Sequence, residues 1–213
     1  MTGAQRKRLL QVRERLEAQY GVRECPLEHR SPFQLLVAVV LSAQCKDDRV
    51  NLVTKELFRV APDAERFAEL PVEELERLIH SVGLYRAKAA NLHAASVKLV
   101  REFHGEVPRT MAELTALPGV GRKSANVILG NAFGLPGFPV DTHVKRVLNR
   151  LGVVACDVPE KIEAEVNAVV PPEYWKDFSH QLITLGRQIC DARKPKCADC
   201  FLNDLCPARR TGA

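Results

Sequence analysis

No apolar run in the 213-residue chain is longer than the seven residues from Leu35 to Leu41, far short of the roughly 18 to 20 that crossing a bilayer requires. A membrane span is therefore excluded. The N-terminus lacks the apolar stretch of a secretory signal. Arg6, Lys7, Arg8, Arg13 and Arg15 gather there, but Glu14 and Glu17 are interleaved, unlike an acid-poor transit peptide. That segment reads as an ordinary surface helix. Cysteine is sparse, seven residues in all, too few for a disulfide scaffold, and a reducing compartment is expected. Strict alternation of apolar and polar residues is missing as well, so no half-buried strand is expected. Neither an internal repeat nor a low-complexity tract occurs.

What is present is an ordinary globular composition, 46% hydrophobic and 27% charged, enough to bury a real core and to exclude disorder. The length suits one large domain or two small lobes and excludes a large multidomain machine. The 31 Lys and Arg exceed the 26 Asp and Glu by five, which favours a polyanionic partner without naming it.

Helical spacing recurs almost everywhere, and the fold class expected is all-α. Leu9, Val12 and Leu16 mark a helix over 5–20, with Gly21 placed for a left-handed cap. Ser31, Pro32 and Gln34 read as N-cap, first-turn proline and capping-box partner of a helix that is apolar nearly all round, hence central. Asp47 or Asp48, Asp63 and Pro71 announce three further helices, the last ending at Gly83. Residues 84–104 form a long helix closed by Gly105, and Thr110 with Glu113 makes a second capping box. Helices over about 122–133 and 141–151, one after Pro159, and one over 173–189 complete the expected set. Short connections imply antiparallel neighbours. Only the stretch from Cys190 to Arg210 changes character, being rich in cysteine and basic residues and too poor in apolar ones to fold unaided.

Three motifs could carry chemistry. Leu117, Pro118, Gly119, Val120 and Gly121 form a turn between two helices. Its glycines permit positive φ and close backbone approach, and its amides, with the next helix N-terminus, suit a phosphate. A nucleotide P-loop would need glycine and lysine where Ala116 and Arg122 stand. A dinucleotide fingerprint fails because no strand precedes the turn and Ser124 holds the third glycine position. Nucleic-acid backbone is the better ligand class. Lys123, in the first turn of the following helix beside Arg122, is set where an amine can act as a nucleophile; the plainer role is phosphate contact. Asp141 opens the next motif, Val140 to His143, as an N-cap, and could in addition take a proton or stabilise positive charge if it faced Lys123. Cys190, Cys197, Cys200 and Cys206 are enough for one complete metal site, zinc or an iron–sulfur cluster. Arg193, Lys194 and Lys196 sit in its first loop, a basic finger for a phosphate backbone. Cys25, Cys45 and Cys156 read as isolated buried residues.

Taken together, the hairpin from Leu117 to Lys123, the Val140–His143 motif and the four cysteines closely resemble the endonuclease III family of DNA glycosylases. Two more segments agree, Leu41 to Gln44 with Asp47, and Val82 to Tyr85 with Lys88 and Ala89. The resemblance spans most of the chain. It implies a helix-hairpin-helix glycosylase fold with a six-helix lobe over 25–135, a second helical lobe from 1–24 plus 136–213, and a DNA-binding cleft between them. It also implies a [4Fe-4S] cluster on the four cysteines, structural or electronic in role. Lys123 would attack C1′ of a flipped, damaged nucleotide, Asp141 would activate it, and β-elimination would then break the strand. Gly119, Val120, Gly121 and Arg122 would hold the DNA backbone. Gln44 and Leu84 match positions that look like inserting wedges, and His143 a residue near the pocket.

The adenine-removing relatives lack lysine at the Lys123 position and carry an acid near Gln44, so this sequence goes the other way. Cys45 and Gly130 depart from the residues common in the family, threonine or alanine and asparagine, and bear on lesion choice.

The activity implied is a bifunctional DNA N-glycosylase and AP lyase acting on oxidised pyrimidines in base excision repair. Its partner is double-stranded DNA containing damaged bases or abasic sites, and the enzyme is a monomer in a bacterial cytoplasm, at the nucleoid. An abasic-site-restricted lyase paralogue and a non-catalytic iron–sulfur DNA-binding module are the alternatives, against the last of which the Lys123 and Asp141 pair argues.

Overall fold

The computed structural model describes residues 1–209, so Arg210, the end of the C-terminal basic stretch, lies outside the described residues. Among the described residues there are only helices, turns and irregular segments, as an all-α chain requires. In chain order the helices are α1 (Gly3–Tyr20), α2 (Pro32–Ser42), α3 (Asp47–Val60), α4 (Ala64–Glu69), α5 (Val72–Ile79) and α6 (Tyr85–Phe103). They continue with α7 (Met111–Thr115), α8 (Arg122–Ala132), α9 (Thr142–Arg150), α10 (Pro159–Asn167) and α11 (Trp175–Gln188). The chain divides into two compact units, Cys25–Leu135 and Met1–Glu24 with Pro136–Ala213.

The Cys25–Leu135 unit is organised around α2. Its run from Leu35 to Leu41 is wholly buried, and it packs against α3, α6 and α8. Each such side chain contributes about 1.5–3 kcal/mol on burial, so a helix that is apolar all round can only be stable at the centre. Phe33 meets Phe67 of α4 edge-on at 5.1 Å. The unit holds seven helical segments, one more than the resemblance implies, because α7 is a separate five-residue turn.

The other unit joins the chain's two ends. Leu9, Val12 and Leu16 of α1 share a core with Val144, Val147 and Leu148 of α9 and Leu182 and Leu185 of α11. Phe138 stacks on Phe178 at 5.8 Å. Arg15 grips Asp204 through two bonds of 2.5 and 2.8 Å, and Arg8 donates to the carbonyls of Leu151 and Gly152.

Helix starts follow the capping residues with three exceptions. Thr2 and Gln5 form a reciprocal box that starts α1 two residues earlier than its apolar spacing indicates. Ser31 caps α2 through the Gln34 amide, but the Gln34 side chain accepts from Arg30 rather than closing the box. Neither Asp47 nor Asp48 caps α3; Lys46 is the N-cap, and both acids lie in the first turn, where the helix dipole favours them. Two endings also differ. Gly21 has φ 59 with ψ −157, positive but outside the left-handed helical well. Gly83 does not end α5, which stops at Ile79 with His80 as cap; Gly83 lies in the turn leading into α6.

Candidate functional site

The hairpin of the Cys25–Leu135 unit lies between α7 and α8. Leu117 and Val120 are buried, the Val120 N–H donates to Leu117 O at 3.1 Å, and Gly119 takes φ +80. A Cβ added at Gly119 would come 3.0 Å from the Asn91 Cβ, so the turn needs glycine for space as well as for conformation. Val120 is thus spent inward, and what it offers outside is an anchored main chain. Gly119, Gly121, Arg122 and Lys123 are exposed. Gly121 is the N-cap of α8 and supplies no side-chain cap. The first amides of a helix lack intrahelical acceptors, so α8 presents donors and a positive dipole end at the exposed turn where Arg122 and Lys123 stand.

Gln44 and Leu84 come together in the same unit. The Gln44 carbonyl would lie 3.7 Å from a Cβ added at Gly83, next to Leu84. Both residues are exposed, Leu84 to 60%, and both take positive φ, 54° and 60°. Among the described residues His104 is the only other non-glycine to do so. Such backbone costs of order 1–3 kcal/mol per residue and is concentrated at functional sites. Beneath them Lys88 is buried, and its ammonium donates to Leu41 O at 2.9 Å and Ala43 O at 2.6 Å. Burial holds this amine below its ordinary pKa, and Cys45 opposes that shift. Spacing alone did not single out Lys88, although a lysine four residues after Leu84 on the face that carries Leu92 is a visible irregularity.

In the other unit Asp141 caps α9, its Oδ1 accepting from the Val144 amide at 2.8 Å. His143 follows in the first turn. Its Nδ1 lies 3.0 Å from Arg146 Nη2, and Gly186 of α11 passes so close that an added Cβ would lie 2.9 Å from the His143 Cβ. Burial pushes the His143 imidazole below its usual value, with Arg146 and Arg187 acting the same way and Asp141 opposing. A neutral ring is what allows Nδ1 to accept from a guanidinium.

Cys190, Cys197, Cys200 and Cys206 line one cavity of about 200 Å³, with Val147, Leu185 and Ile189 as apolar wall. A water molecule occupies about 10–15 Å³ on that measure, so the space suits a multi-atom group better than one ion. Among the described residues no three His, Cys, Asp or Glu side chains are gathered tightly enough to hold a single metal ion. Burial pushes the Cys200 and Cys206 thiols up, and the neighbouring cysteines add to it. Four thiolates here need a cation among them. The donor set therefore fits an iron–sulfur cluster.

Two arginines of α9 that sequence spacing did not single out hold the loop. Arg146 donates to Cys190 O at 3.1 Å and Gly186 O at 2.9 Å, and Arg150 to Asp191 O at 2.6 Å, Ala192 O at 2.7 Å and Cys190 Sγ at 3.4 Å. Their four-residue spacing, one helix face, was the available signal. Asp191 Oδ1 accepts from the amides of Arg193 and Lys194 and shapes the exposed finger bearing Arg193, Lys194 and Lys196. Those two bonds hold the Asp191 carboxyl below its usual range.

Residues 37–172 match the model of the HhH-GPD superfamily base excision DNA repair protein, and residues 190–206 the iron-sulfur binding domain of endonuclease III, which begins and ends here on Cys190 and Cys206. Endonuclease III of Synechocystis sp. is 50% identical over 194 residues, 91% of this chain and 89% of that protein. The chain belongs to the endonuclease III family. Endonuclease III of Bacillus subtilis is 48% identical over 184 residues, 86% of this chain and 84% of its own. A solved trapped endonuclease III–DNA covalent intermediate, the estranged-adenine complex, superposes with a TM-score of 0.91 at 42% identity, covering 98% of this chain and 97% of that one. As an endonuclease III family chain it carries the family's iron–sulfur binding segment as well as its helix-hairpin-helix fold. No helix among the described residues is long and apolar enough to cross a membrane.

Proposed function

We propose that the chain is a bifunctional DNA N-glycosylase and AP lyase that removes oxidised pyrimidines from duplex DNA in base excision repair. The observation that carries this reading is its likeness, along nearly its whole length, to an endonuclease III trapped as a covalent intermediate with DNA. Lys123 supports it, being an exposed lysine in the first turn of α8 directly after the hairpin.

On this reading the hairpin amides and Arg122 hold a backbone phosphate of DNA containing a damaged base or an abasic site. The finger bearing Arg193, Lys194 and Lys196 adds phosphate contacts. Of Gln44 and Leu84, one fills the stack that a flipped nucleotide leaves and the other probes the opposite strand. The Lys123 amine attacks C1′ and the base departs with its bonding electrons, while Asp141 receives the proton that the amine sheds and stabilises the developing positive charge on the sugar. The sugar ring then opens, O4′ leaving C1′ with the bonding electrons and taking up a proton, and the resulting iminium makes the C2′ proton acidic. Its removal expels the 3′ phosphate and breaks the strand. Cys190, Cys197, Cys200 and Cys206 would hold the [4Fe-4S] cluster, which when bound supplies a structural or electronic centre and takes no direct part in catalysis. The enzyme acts as a monomer in the bacterial cytoplasm, at the nucleoid.

Borohydride trapping tests the reading. Wild type is expected to form a covalent adduct on duplexes carrying thymine glycol and on abasic duplexes, and Lys123→Gln on neither while still binding both. An adduct with the variant refutes the assignment of Lys123, and adduct only at the abasic site replaces the reading with a lyase-restricted one.

A further inference from the structure

The C-terminal end of α2 and the start of α6 are joined by one buried side chain that the mechanism above does not use. Helix ends leave their last carbonyls without intrahelical donors, and α2 has no basic residue in its own last turn. Lys88 supplies the missing charge from α6. It is 4% exposed, and its Nζ reaches Leu41 O inside the helix and Ala43 O just past it, immediately before Gln44. The Lys88 amide donates to Leu84 O at 3.1 Å. One residue thus binds the backbone on both sides of the Gln44 and Leu84 pair. Each of these is an exposed non-glycine residue at positive φ, a conformation that persists only where the surroundings enforce it.

We propose that Lys88 is a positioning residue for lesion recognition: by tying the Leu41 and Ala43 carbonyls to the first turn of α6, it holds Gln44 and Leu84 as one rigid wedge in the conformation that enters the base stack. The proposal rests on the wedge reading of Gln44 and Leu84. A buried ammonium suits the task. It carries charge to the negative end of α2, and leaving those carbonyls unpaired beneath the turn would carry a desolvation penalty. The exposed side chains then meet DNA already ordered, which spares the entropy of ordering them on binding.

The test compares affinity for a duplex carrying tetrahydrofuran, a stable abasic analogue, with affinity for the undamaged duplex, for the cluster-containing protein. Lys88→Met keeps the apolar stem of the side chain and removes its donors. It is expected to lower the preference for the tetrahydrofuran duplex roughly tenfold, with binding to undamaged duplex within about twofold, since two side chains that must be ordered on binding together cost affinity of about that size. Gln44→Ala is expected to lower the preference similarly, and the double variant no further than the larger single effect. Unchanged preference in Lys88→Met, with Gln44→Ala impaired, overturns the proposal alone. Full additivity overturns it too, since Lys88 would then act on packing in general. No loss in Gln44→Ala or Leu84→Ala removes the wedge reading itself and the proposal with it. If the circular dichroism of Lys88→Met shows an unfolded chain, Lys88→Gln, too short to reach both carbonyls, takes its place. The same loss is expected, and full preference overturns the proposal.

Discussion

Gly186→Ala sets two effects of opposite sign against each other. In an open helix the change stabilises by about 0.8–1 kcal/mol. At this point of α11 the added methyl would stand 2.9 Å from the His143 Cβ, 3.0 Å from its Nδ1 and 3.2 Å from Arg146 Nη2, where ordinary contact begins at 3.4 Å. The nearest of these atoms is a Cβ fixed to the α9 backbone, so no side-chain rotation relieves it and the helices must part by about half an ångström. Overpacking of this kind costs about 1–3 kcal/mol. The Arg146 bond to Gly186 O crosses between the two helices and stretches with the same movement, at about 1 kcal/mol. The net expectation is a loss of about 1–3 kcal/mol, which for a chain of this size is a fall in Tm of about 2–12 °C. Because Asp141 is the N-cap of α9, single-turnover cleavage of an abasic duplex should fall roughly tenfold, less than the hundredfold that a full ångström can cost. Gly3→Ala, where an added Cβ meets nothing within 4 Å, should not lower Tm. A Gly186→Ala protein that melts above wild type and cleaves at the wild-type rate would refute the reasoning, since propensity would then have outweighed packing.

Asp141 combines a cap with the proposed chemistry, and two substitutions separate them. Asn is as good an N-cap, so Asp141→Asn should keep the wild-type Tm while cleavage collapses, whereas Asp141→Ala should also lose about 1 kcal/mol in thermal melting. Arg150→Ala removes the donors to Asp191 O, Ala192 O and Cys190 Sγ. Iron content per chain should fall, and the reduction potential of the retained cluster should move down, because a positive hydrogen-bond donor beside a thiolate favours the reduced form; unchanged iron content and potential contradict this. Burial pushes both His180 and His143 below the usual imidazole value of 6.5, so in the pH range below 6.5 the unfolded chain binds more protons than the folded one. Stability should be flat in pH above that value and fall on acidification, and His180→Gln should flatten the slope of Tm against pH; an unaltered slope excludes His180 as a source.

Much of the fold was legible because helices announce themselves locally. The apolar run of α2, the Ser31, Asp63, Thr110 and Asp141 caps and the glycines of the hairpin act over three or four residues, within reach of a reading along the chain. Asp47 misled because an acid in the first turn and an acid at the cap look alike in sequence and differ only in backbone geometry. The chemistry was legible for a related reason. Lysine after a glycine hairpin, aspartate at a helix start and four closely spaced cysteines are local patterns, and their conjunction pointed to a family.

The supports of those groups were not local. Lys88 reaches carbonyls 45 and 47 positions away, Arg146 and Arg150 bind carbonyls about 40 positions on, and Gly186 matters only because α9 passes beside it. Residue identity and short-range spacing were enough to name the candidate groups and to show that the chain is helical. Which buried cation satisfies which helix end, and which glycine admits which neighbour, was decided only by tertiary structure, because those contacts depend on packing between helices that no period along the chain encodes.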